Sequence, residues 1–249
     1  MSFFIRIFRI LSLFVWTLLM AVVSFPNLFR GWRGIKATSE LTRIWAKGIA
    51  HISGVKIKTY GKMPDASSGL VVSNHLGYLD IIVHASLFPL RFTPSTDVAK
   101  IPIVGGVAFM SNAIFVDRKS APAAKKAVRA FAKTMNRGMY LIVYPEGTST
   151  DGQSGILPFK STPFDAAAGS EVPILPILTR YQKKTGQPIV PWYGDMTFFS
   201  HFWNVLGSRS IDAEVLFLNP IKTGKRSRKE ISSSTHDIMS MEWAKWNNS

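Results

Sequence analysis

The chain has 249 residues, of which 47% are hydrophobic and 18% are charged, and its formal net charge is +15. The hydrophobic content excludes a disordered chain, and the absence of cysteine excludes disulfides, thiolate metal sites and a thiol nucleophile. A basic and apolar chain is typical of proteins that sit on anionic lipid, whereas nucleic-acid-binding proteins are seldom this apolar. The expected partners are therefore membrane lipids and no nucleic acid.

The N-terminal region combines a long apolar segment with basic residues at both of its ends. Ile10–Phe29 contains no charged side chain and is long enough to cross a bilayer. Three interpretations remain open: a cleaved signal peptide, a single transmembrane span and a helix that lies within one leaflet. The basic residues at both ends favour the helix within one leaflet. Pro26 is expected to end or kink this helix. Apolar spacing predicts a second helix over Lys36–Ile52, so residues 1–52 are predicted to be a membrane-associated helix pair.

From residue 54 onward, short apolar segments alternate with helical patterns. The predicted strands are Val55–Tyr60, Leu70–Ser73, Tyr140–Tyr144, Val172–Leu178 and Ala213–Leu218. The predicted helices are Tyr78–Ser86, Ala121–Asn136, Thr162–Gly169 and Arg228–Trp246. This alternation predicts an α/β domain over residues 53–249, with helices packed on a sheet.

A histidine and an aspartate follow the predicted strand Leu70–Ser73. His75 stands at the strand end, where α/β proteins commonly bind ligands, and Asp80 comes five residues later. In a continuous helix the two would lie about 140° apart, but a turn at residues 76–77 would bring the carboxylate to the imidazole. Such a carboxylate fixes the tautomer and leaves the other ring nitrogen as a base. A surface histidine beside a helix-capping aspartate explains the same spacing, so both interpretations stay open.

Two further polar segments are candidates for anion binding. Tyr144–Thr150 follows the predicted strand Tyr140–Tyr144, and backbone N–H groups around Gly147 suit an oxyanion or a phosphate. An ordinary Pro-Gly turn is the alternative there. Arg118 ends another apolar segment and is able to bind phosphate with two hydrogen bonds. A solvated ion pair with the neighbouring Asp117 is the alternative for that residue.

Two prolines, Pro173 and Pro176, interrupt the apolar segment Val172–Leu178. Proline is rare in central strands, so this segment is predicted to be an edge strand or to line an apolar groove. The sequence contains no G-x-S-x-G, no P-loop and no H-E-x-x-H, which disfavours an α/β-hydrolase and a zinc hydrolase. No metal site is expected.

Four sequence blocks occur in one order along the chain. They read N-H-L-G-Y-L-D from Asn74, F-V-D-R from Phe115, Y-P-E-G-T-S-T from Tyr144 and V-P-I-L-P-I from Val172. Together they resemble the glycerolipid acyltransferase family, in its bacterial lysophosphatidic acid acyltransferase branch. The resemblance implies a glycerol-3-phosphate acyltransferase-like fold, with a mixed sheet flanked by helices. It also implies a location at the cytoplasmic face of the bacterial inner membrane. It also implies transfer of a fatty acyl group from acyl-CoA or acyl carrier protein, without a bound cofactor, to a lysophospholipid hydroxyl. With 1-acylglycerol-3-phosphate as acceptor, the product would be phosphatidic acid.

The same resemblance implies a role for each block. His75 is the implied base and Asp80 its partner. The implied acceptor-phosphate site consists of Arg118, Glu146, Gly147 and Thr148. The residues implied to support the acyl-chain site or the fold are Asn74, Pro145, Pro173 and Pro176. Because Glu146 is itself an anion, it is interpreted as orienting Arg118 or a backbone turn.

Other functions also remain open. The segment Trp192–Met196 is similar to lyso-ornithine lipid acyltransferases, so another lysolipid is an alternative acceptor. A non-catalytic lipid-binding membrane protein and a hydrolase are the alternatives from other classes.

Overall fold

The computed structural model describes residues 3–117 and 119–247, and its centre is a six-stranded mixed sheet. The strands are β1 (Val55–Tyr60), β2 (Gly69–Ser73), β3 (Leu90–Arg91), β4 (Tyr140–Val143), β5 (Ile174–Tyr181) and β6 (Ile211–Phe217). The helices are α1 (Phe3–Ser24), α2 (Gly31–Ser53), α3 (Leu79–Leu87), α4 (Val104–Met110), α5 (Ala121–Met135), α6 (Phe198–Leu206) and α7 (Arg228–Asn247). Short 3₁₀ helices occupy Phe25–Phe29, Thr96–Lys100 and Thr162–Ala166.

The strand order β1-β6-β5-β2-β4-β3 confirms the predicted mixed α/β sheet. All neighbouring strands run parallel except β5 and β6, which are antiparallel. Because β2 and β4 are parallel neighbours, the segments that follow them leave the sheet at the same edge. The polar residues after Ser73 and after Val143 are therefore brought together.

The core lies on both faces of the sheet, as alternation along β2 requires. Val71 packs into a cluster with residues of α2, α3 and α6, whereas Leu70 and Val72 pack into a second cluster with residues of α5 and α7. All five residues of β2 are buried. A strand buried on both faces reads as a continuous apolar run, which is why the sequence identified this strand so readily.

Several predicted elements differ from the observed ones. The strand β3 was not predicted, because two residues are too few to form a recognisable pattern. The helices α4 and α6 were not predicted either. The predicted helix Thr162–Gly169 is only the 3₁₀ helix Thr162–Ala166. The division into residues 1–52 and 53–249 stays a prediction.

The prediction of an edge strand for the proline-containing segment is wrong. β5 lies between β6 and β2 in the middle of the sheet. The carbonyl of Pro176 accepts a hydrogen bond from Leu218 N–H at 3.1 Å, so the proline nitrogen also faces β6. The β5–β6 ladder ends at the pair Ile177 and Phe217, which is adjacent to Pro176 and Leu218. The missing N–H of Pro176 therefore costs the sheet no bond to β2.

The two N-terminal helices form an antiparallel pair. Trp16 Nε1 donates to the carbonyl of Trp45 at 3.0 Å, and Trp45 Nε1 donates to Thr17 Oγ1 at 3.1 Å. Nearer the open end of the pair, the guanidinium of Arg9 lies against Gly54. The helix α1 ends in a 3₁₀ turn that begins at Phe25 and contains Pro26, as that proline predicted.

The outward face of α1 is apolar and exposed. One segment of the described chain, Phe3–Phe29, is long and apolar enough to cross a membrane. The large exposed hydrophobic residues of α1 are Phe3, Phe4, Ile5, Phe8, Leu11, Phe14, Val15, Leu18, Leu19, Val22 and Val23. A contiguous apolar face of this extent marks a membrane or protein contact.

Candidate active site

His75 and Asp80 are in contact at the carboxyl edge of the sheet. His75 Nδ1 lies 2.8 Å from Asp80 Oδ2. The two meet because α3 begins only at Leu79, so the residues between them form a turn rather than a helix. Gly77 adopts a φ of 148° in this turn, and a Cβ there would lie 2.9 Å from the backbone nitrogen of Trp192. Only glycine fits both the conformation and the space.

The carboxylate of Asp80 is completely buried and fully engaged. Besides His75, its Oδ2 accepts the backbone N–H groups of Leu76 at 2.6 Å and Gly77 at 3.0 Å. Its Oδ1 accepts the hydroxyl of Tyr181 at 2.7 Å. Burial by itself raises the pKa of Asp80, but the hydrogen bonds and charge of the surrounding groups hold that pKa below its ordinary value.

This arrangement leaves one nitrogen of His75 available for chemistry. An ionised carboxylate only accepts hydrogen bonds, so Nδ1 carries the hydrogen and Nε2 has a free lone pair. The side chain of His75 is 22% exposed, whereas that of Asp80 is not exposed at all. The carboxylate is therefore closed off from solvent, whereas the imidazole that it holds is partly open to solvent.

A second, buried histidine lies behind the first. The ring of Tyr144 stacks on His75 with 4.2 Å between ring centroids. The hydroxyl of Tyr144 lies 2.9 Å from Nδ1 of His84, and Nε2 of His84 lies 2.7 Å from the hydroxyl of Thr179. Burial lowers the pKa of His84 to about 4, so this ring is neutral at pH 7. His84 thus holds the stacked tyrosine in place without adding charge near His75.

Glu146 supports the backbone around His75 by accepting hydrogen bonds from it. Its Oε1 accepts the N–H of His75 at 2.8 Å, and its Oε2 accepts the N–H of Leu157 at 2.9 Å. The carbonyl of His75 in turn accepts the N–H of Thr150 at 2.9 Å. Glu146 is 5% exposed, and burial raises its pKa although the two backbone hydrogen bonds lower it. Glu146 therefore orients a backbone turn, and the alternative that it orients Arg118 concerns a residue outside the described ranges.

The rest of the predicted phosphate site is a turn on the same edge. The N–H of Gly147 donates to the carbonyl of Tyr144 at 3.1 Å, so that donor is already engaged within the turn. Lys160 places its ammonium against Gly147, and the side chain of Thr148 is exposed. Arg118, the cation predicted from the sequence, lies outside the described residues.

The remaining predicted residues bond segments at the ends of the strands, Asn74 and Pro145 at the carboxyl edge of the sheet and Pro173 at the opposite edge. Asn74 is 3% exposed, and its side-chain amide donates to the carbonyl of Thr179 at 2.9 Å and accepts the N–H of the same residue at 2.8 Å. Asn74 thereby continues the β2–β5 ladder beyond the strand end. The carbonyl of Pro145 accepts the N–H of Lys160 at 2.9 Å, and that of Pro173 accepts a backbone N–H from β2 at 3.0 Å.

The segment around Trp192 covers the His75 turn. The N–H of Trp192 donates to the carbonyl of Leu76 at 2.7 Å, and its indole N–H donates to the carbonyl of Met196 at 2.8 Å. Tyr78, which belongs to the same turn, places its hydroxyl 2.9 Å from Nδ1 of His201 on α6. The turn is therefore held from the sheet side by Glu146 and from the α6 side by aromatic residues.

Sequence reasoning missed several residues of this site. Tyr181 and Thr179 lie on β5, about a hundred positions from the residues that they contact, and Leu157 contributes only a backbone N–H. Tyr144 could have been found, since it begins the block Y-P-E-G-T-S-T. Among residues 3–117 and 119–247, no group of three or more histidine, aspartate or glutamate side chains is placed to hold a metal ion.

Comparison with known proteins agrees with the fold. The chain is 29% identical over 247 residues to a lyso-ornithine lipid O-acyltransferase of Brucella abortus, which covers 92% of this chain and 90% of that protein. It is 26% identical over 224 residues to a 1-acyl-sn-glycerol-3-phosphate acyltransferase of Neisseria gonorrhoeae, covering 87% and 84%. The crystal structure of a 1-acyl-sn-glycerophosphate acyltransferase from Thermotoga maritima superposes with a TM-score of 0.63 at 19% identity, covering 97% of this chain and 98% of that one. The model of the Acyltransferase family matches residues 54–180. The chain belongs to this acyltransferase family.

Proposed function

We propose that this protein transfers a fatty acyl group from a thioester, acyl-CoA or acyl carrier protein, to the hydroxyl of a lysophospholipid. The single observation that carries the proposal is the contact between the partly exposed His75 and the buried Asp80. A histidine with one free nitrogen and an ionised partner suits the removal of a proton from an attacking alcohol. We assign no metal and no bound cofactor to the reaction.

In the proposed mechanism, Nε2 of His75 takes the proton of the acceptor hydroxyl while its oxygen attacks the thioester carbonyl carbon. Asp80 stabilises the imidazolium that forms, and it acts as a positioning residue because it is buried. The tetrahedral intermediate collapses, the C–S bond breaks, and the leaving thiolate takes the proton back from the imidazolium. The products are an ester and a thiol, and general-base catalysis of this kind contributes about 10²–10⁴ in rate.

The turn at residues 144–150 is the proposed site for the acceptor headgroup. Lys160 brings one cation to Gly147, and Arg118 is the proposed second cation. Glu146 is assigned the indirect role of holding the His75 backbone, because its two oxygens are engaged by N–H groups. Thr148 is exposed and is the proposed hydroxyl contact.

We propose two acceptors. The first is 1-acylglycerol-3-phosphate, whose acylation gives phosphatidic acid, and the similarity to the Neisseria relative supports it. The second is lyso-ornithine lipid, supported by the Brucella relative, which aligns over nearly the whole of both chains. The segment Trp192–Met196 supports this second acceptor too, since Trp192 packs on the turn that carries His75.

We infer that the N-terminal helix pair lies in one leaflet rather than crossing the bilayer. Both ends of α2 contact the α/β domain: Gly54, just after α2, hydrogen-bonds with the start of β6, and Trp32 lies within cation–π distance of Arg91, Lys133 and Arg137. A hairpin that crossed the bilayer would carry Trp32 to the opposite side. Because both proposed donors are cytoplasmic carriers, the cytoplasmic face of the membrane is the proposed location.

One assay tests the proposal. The purified protein is given labelled acyl-CoA or acyl carrier protein together with a panel of lysolipids, and both thiol release and lipid product are followed. Acyl transfer requires both signals and an acceptor, and the preferred lysolipid identifies the acceptor. Release of free fatty acid without an acceptor would instead indicate a hydrolase, and no thiol release would indicate a lipid-binding protein.

A further inference from the structure

We propose that a second site, at the junction of α1 and α6, binds a phosphate group, with a membrane phospholipid headgroup as its source. A cavity of about 330 Å³ opens at this junction. Its lining includes Arg6, Gln187, Asn204, Gly207 and Arg209. The volume falls in the lower part of the range of about 300–1,000 Å³ that is typical of small-molecule sites. None of the lining residues belongs to the segments around His75 or Glu146, so the cavity is separate from the proposed active site.

The charge of the cavity has one sign. Arg6 and Arg209 both line it, and among the residues that the structure describes no aspartate or glutamate does. Within the described ranges, neither guanidinium forms an ion pair. One helical turn further along α1, Arg9 donates to the carbonyls of Leu206 at 2.9 Å and Ser208 at 2.8 Å, which also leaves its charge uncompensated. An anion in the cavity would relieve the repulsion between these guanidinium groups.

The unpaired polar atoms of the cavity also suit a phosphate group. The Nε atom of Arg6 and the Oε1 atom of Gln187 are buried and have no partner in the part of the chain that the structure describes. A buried polar atom without a partner is unfavourable, so a ligand that satisfies both atoms gains affinity. A phosphate oxygen accepts from the guanidinium of Arg6, and a hydroxyl beside the phosphate donates to Gln187. A phosphoglycerol headgroup offers both.

The guanidinium of Arg6 is held in place by packing. It lies over the ring of Trp203, with 5.2 Å to the ring centroid. Behind it stands Gly207, where any Cβ would collide with the guanidinium atoms. A cation whose position is fixed in this way loses little conformational freedom when it binds an anion.

The position of the cavity favours a lipid as the source of the phosphate. Arg6 stands on α1 between Phe4 and Phe8, whose side chains are exposed on its apolar face. A basic residue at the beginning of an apolar helix lies at the depth of the lipid headgroups, where anionic lipids are concentrated. A phospholipid bound there would place its acyl chains along the exposed face of α1.

Binding of defined probes to the detergent-solubilised full-length protein tests this site. The probes are inorganic phosphate, short-chain phosphatidylglycerol and short-chain phosphatidylcholine, each titrated by calorimetry. We expect phosphatidylglycerol to bind most tightly, and we expect its affinity to fall at least tenfold in Arg6→Gln and in Arg209→Gln. Arg228→Gln is the matched control, because it removes the same charge from α7 and should leave the affinity unchanged.

The titrations distinguish a lipid site from a site for free phosphate and from the absence of a site. Equal affinity for phosphatidylglycerol and inorganic phosphate, lost in both variants, would assign the site to free phosphate. The proposal is overturned if no probe binds saturably, or if binding survives both substitutions. Arg209 is exposed, so Arg209→Gln keeps the test decisive even if Arg6→Gln fails to fold. The result does not depend on acyl transfer, since binding alone is measured.

Discussion

The hydroxyl of Tyr181 donates a hydrogen bond to Oδ1 of Asp80 at 2.7 Å, across 101 positions of the sequence. It supports the oxygen of the carboxylate that does not contact His75. The other oxygen accepts His75 and two backbone N–H groups. Four donors thus converge on one buried anion, and each of them favours the ionised form that the proposed mechanism needs.

Tyr181→Phe is expected to weaken catalysis without removing the base. A hydrogen bond to a charged group contributes about 1.5–3 kcal/mol, so we expect kcat to fall by roughly tenfold to a hundredfold. Loss of the hydroxyl raises the pKa of Asp80, so activity should be lost at a higher pH when the solution is acidified. The measurement is the pH profile of kcat/KM for wild type and variant.

Tyr60→Phe is the matched control for that experiment. Tyr60 also donates its hydroxyl to a buried carboxylate, Glu214, at 2.8 Å, but it lies on β1, away from His75. Its removal should leave the pH profile unchanged. An unshifted acid limb in Tyr181→Phe would show that the tyrosine has no influence on Asp80.

His75→Ala and Asp80→Asn are expected to abolish most of the transfer. Removal of a general base costs about 10²–10⁴ in rate, and an asparagine beside a catalytic histidine favours the wrong tautomer at a cost of about 10⁴. Turnover of labelled acyl-CoA measures both effects, and far-ultraviolet circular dichroism checks the fold. His51→Ala is the control, because His51 is exposed on α2. Turnover like that of wild type in His75→Ala would remove His75 from the mechanism.

Glu146→Gln tests whether the buried carboxylate acts through the backbone. Its amide offers one acceptor oxygen, so either the N–H of His75 or that of Leu157 loses its partner. We expect a loss of about 1–3 kcal/mol in the free energy of unfolding, together with a lower kcat and little change in the acceptor KM. Urea unfolding and steady-state kinetics measure the two effects.

Glu171→Gln provides the comparison for that variant, since Glu171 is exposed and the same charge is removed. A large rise in acceptor KM with unchanged kcat would contradict the positioning role of Glu146. It would indicate a direct contact with the headgroup instead.

The neutral His84 predicts an acid-sensitive fold. Its pKa is about 4 in the folded protein and 6.5 as the ordinary value, so below pH 6.5 the unfolded chain binds a proton that the folded protein does not. The contribution of neutral His84 to the free energy of unfolding is therefore fully present above pH 6.5. It is lost as the pH falls towards 4, by about 3 kcal/mol in total. Urea unfolding at a series of pH values measures this loss.

The difference between wild type and His84→Gln isolates the contribution of that residue. The variant should lack the decline in stability between pH 6.5 and 4, and His51→Ala should keep it. An identical pH dependence in His84→Gln and wild type would show that folding does not lower the pKa of His84. The variant is also expected to start from a lower stability, because Tyr144 and Thr179 lose a hydrogen-bond partner.

The sequence predicted local elements well where apolar residues recur at the regular spacing of a strand or a helix. The bounds of β1 were predicted to the residue, and α5 was predicted to within one residue, because its basic and apolar positions alternate at helical spacing. The position of Pro176 was misjudged, because the rule against proline in central strands depends on which neighbour the nitrogen faces. The nitrogen of Pro176 faces β6, just beyond the last pair of the β5–β6 ladder, and no local sequence pattern indicates which strand it faces.

By itself, the order of apolar and polar residues determined the α/β class, the apolar N-terminal helix and the placement of His75 and Asp80 at a strand end. These features follow from period and spacing, which are properties of neighbouring residues. Only the tertiary structure decided that Tyr181 and Glu146 support the pair, that Trp192 covers it and that Arg6 and Arg209 line one cavity. Such contacts join segments that are far apart in the chain, so they exist only once the sheet and the helices have packed.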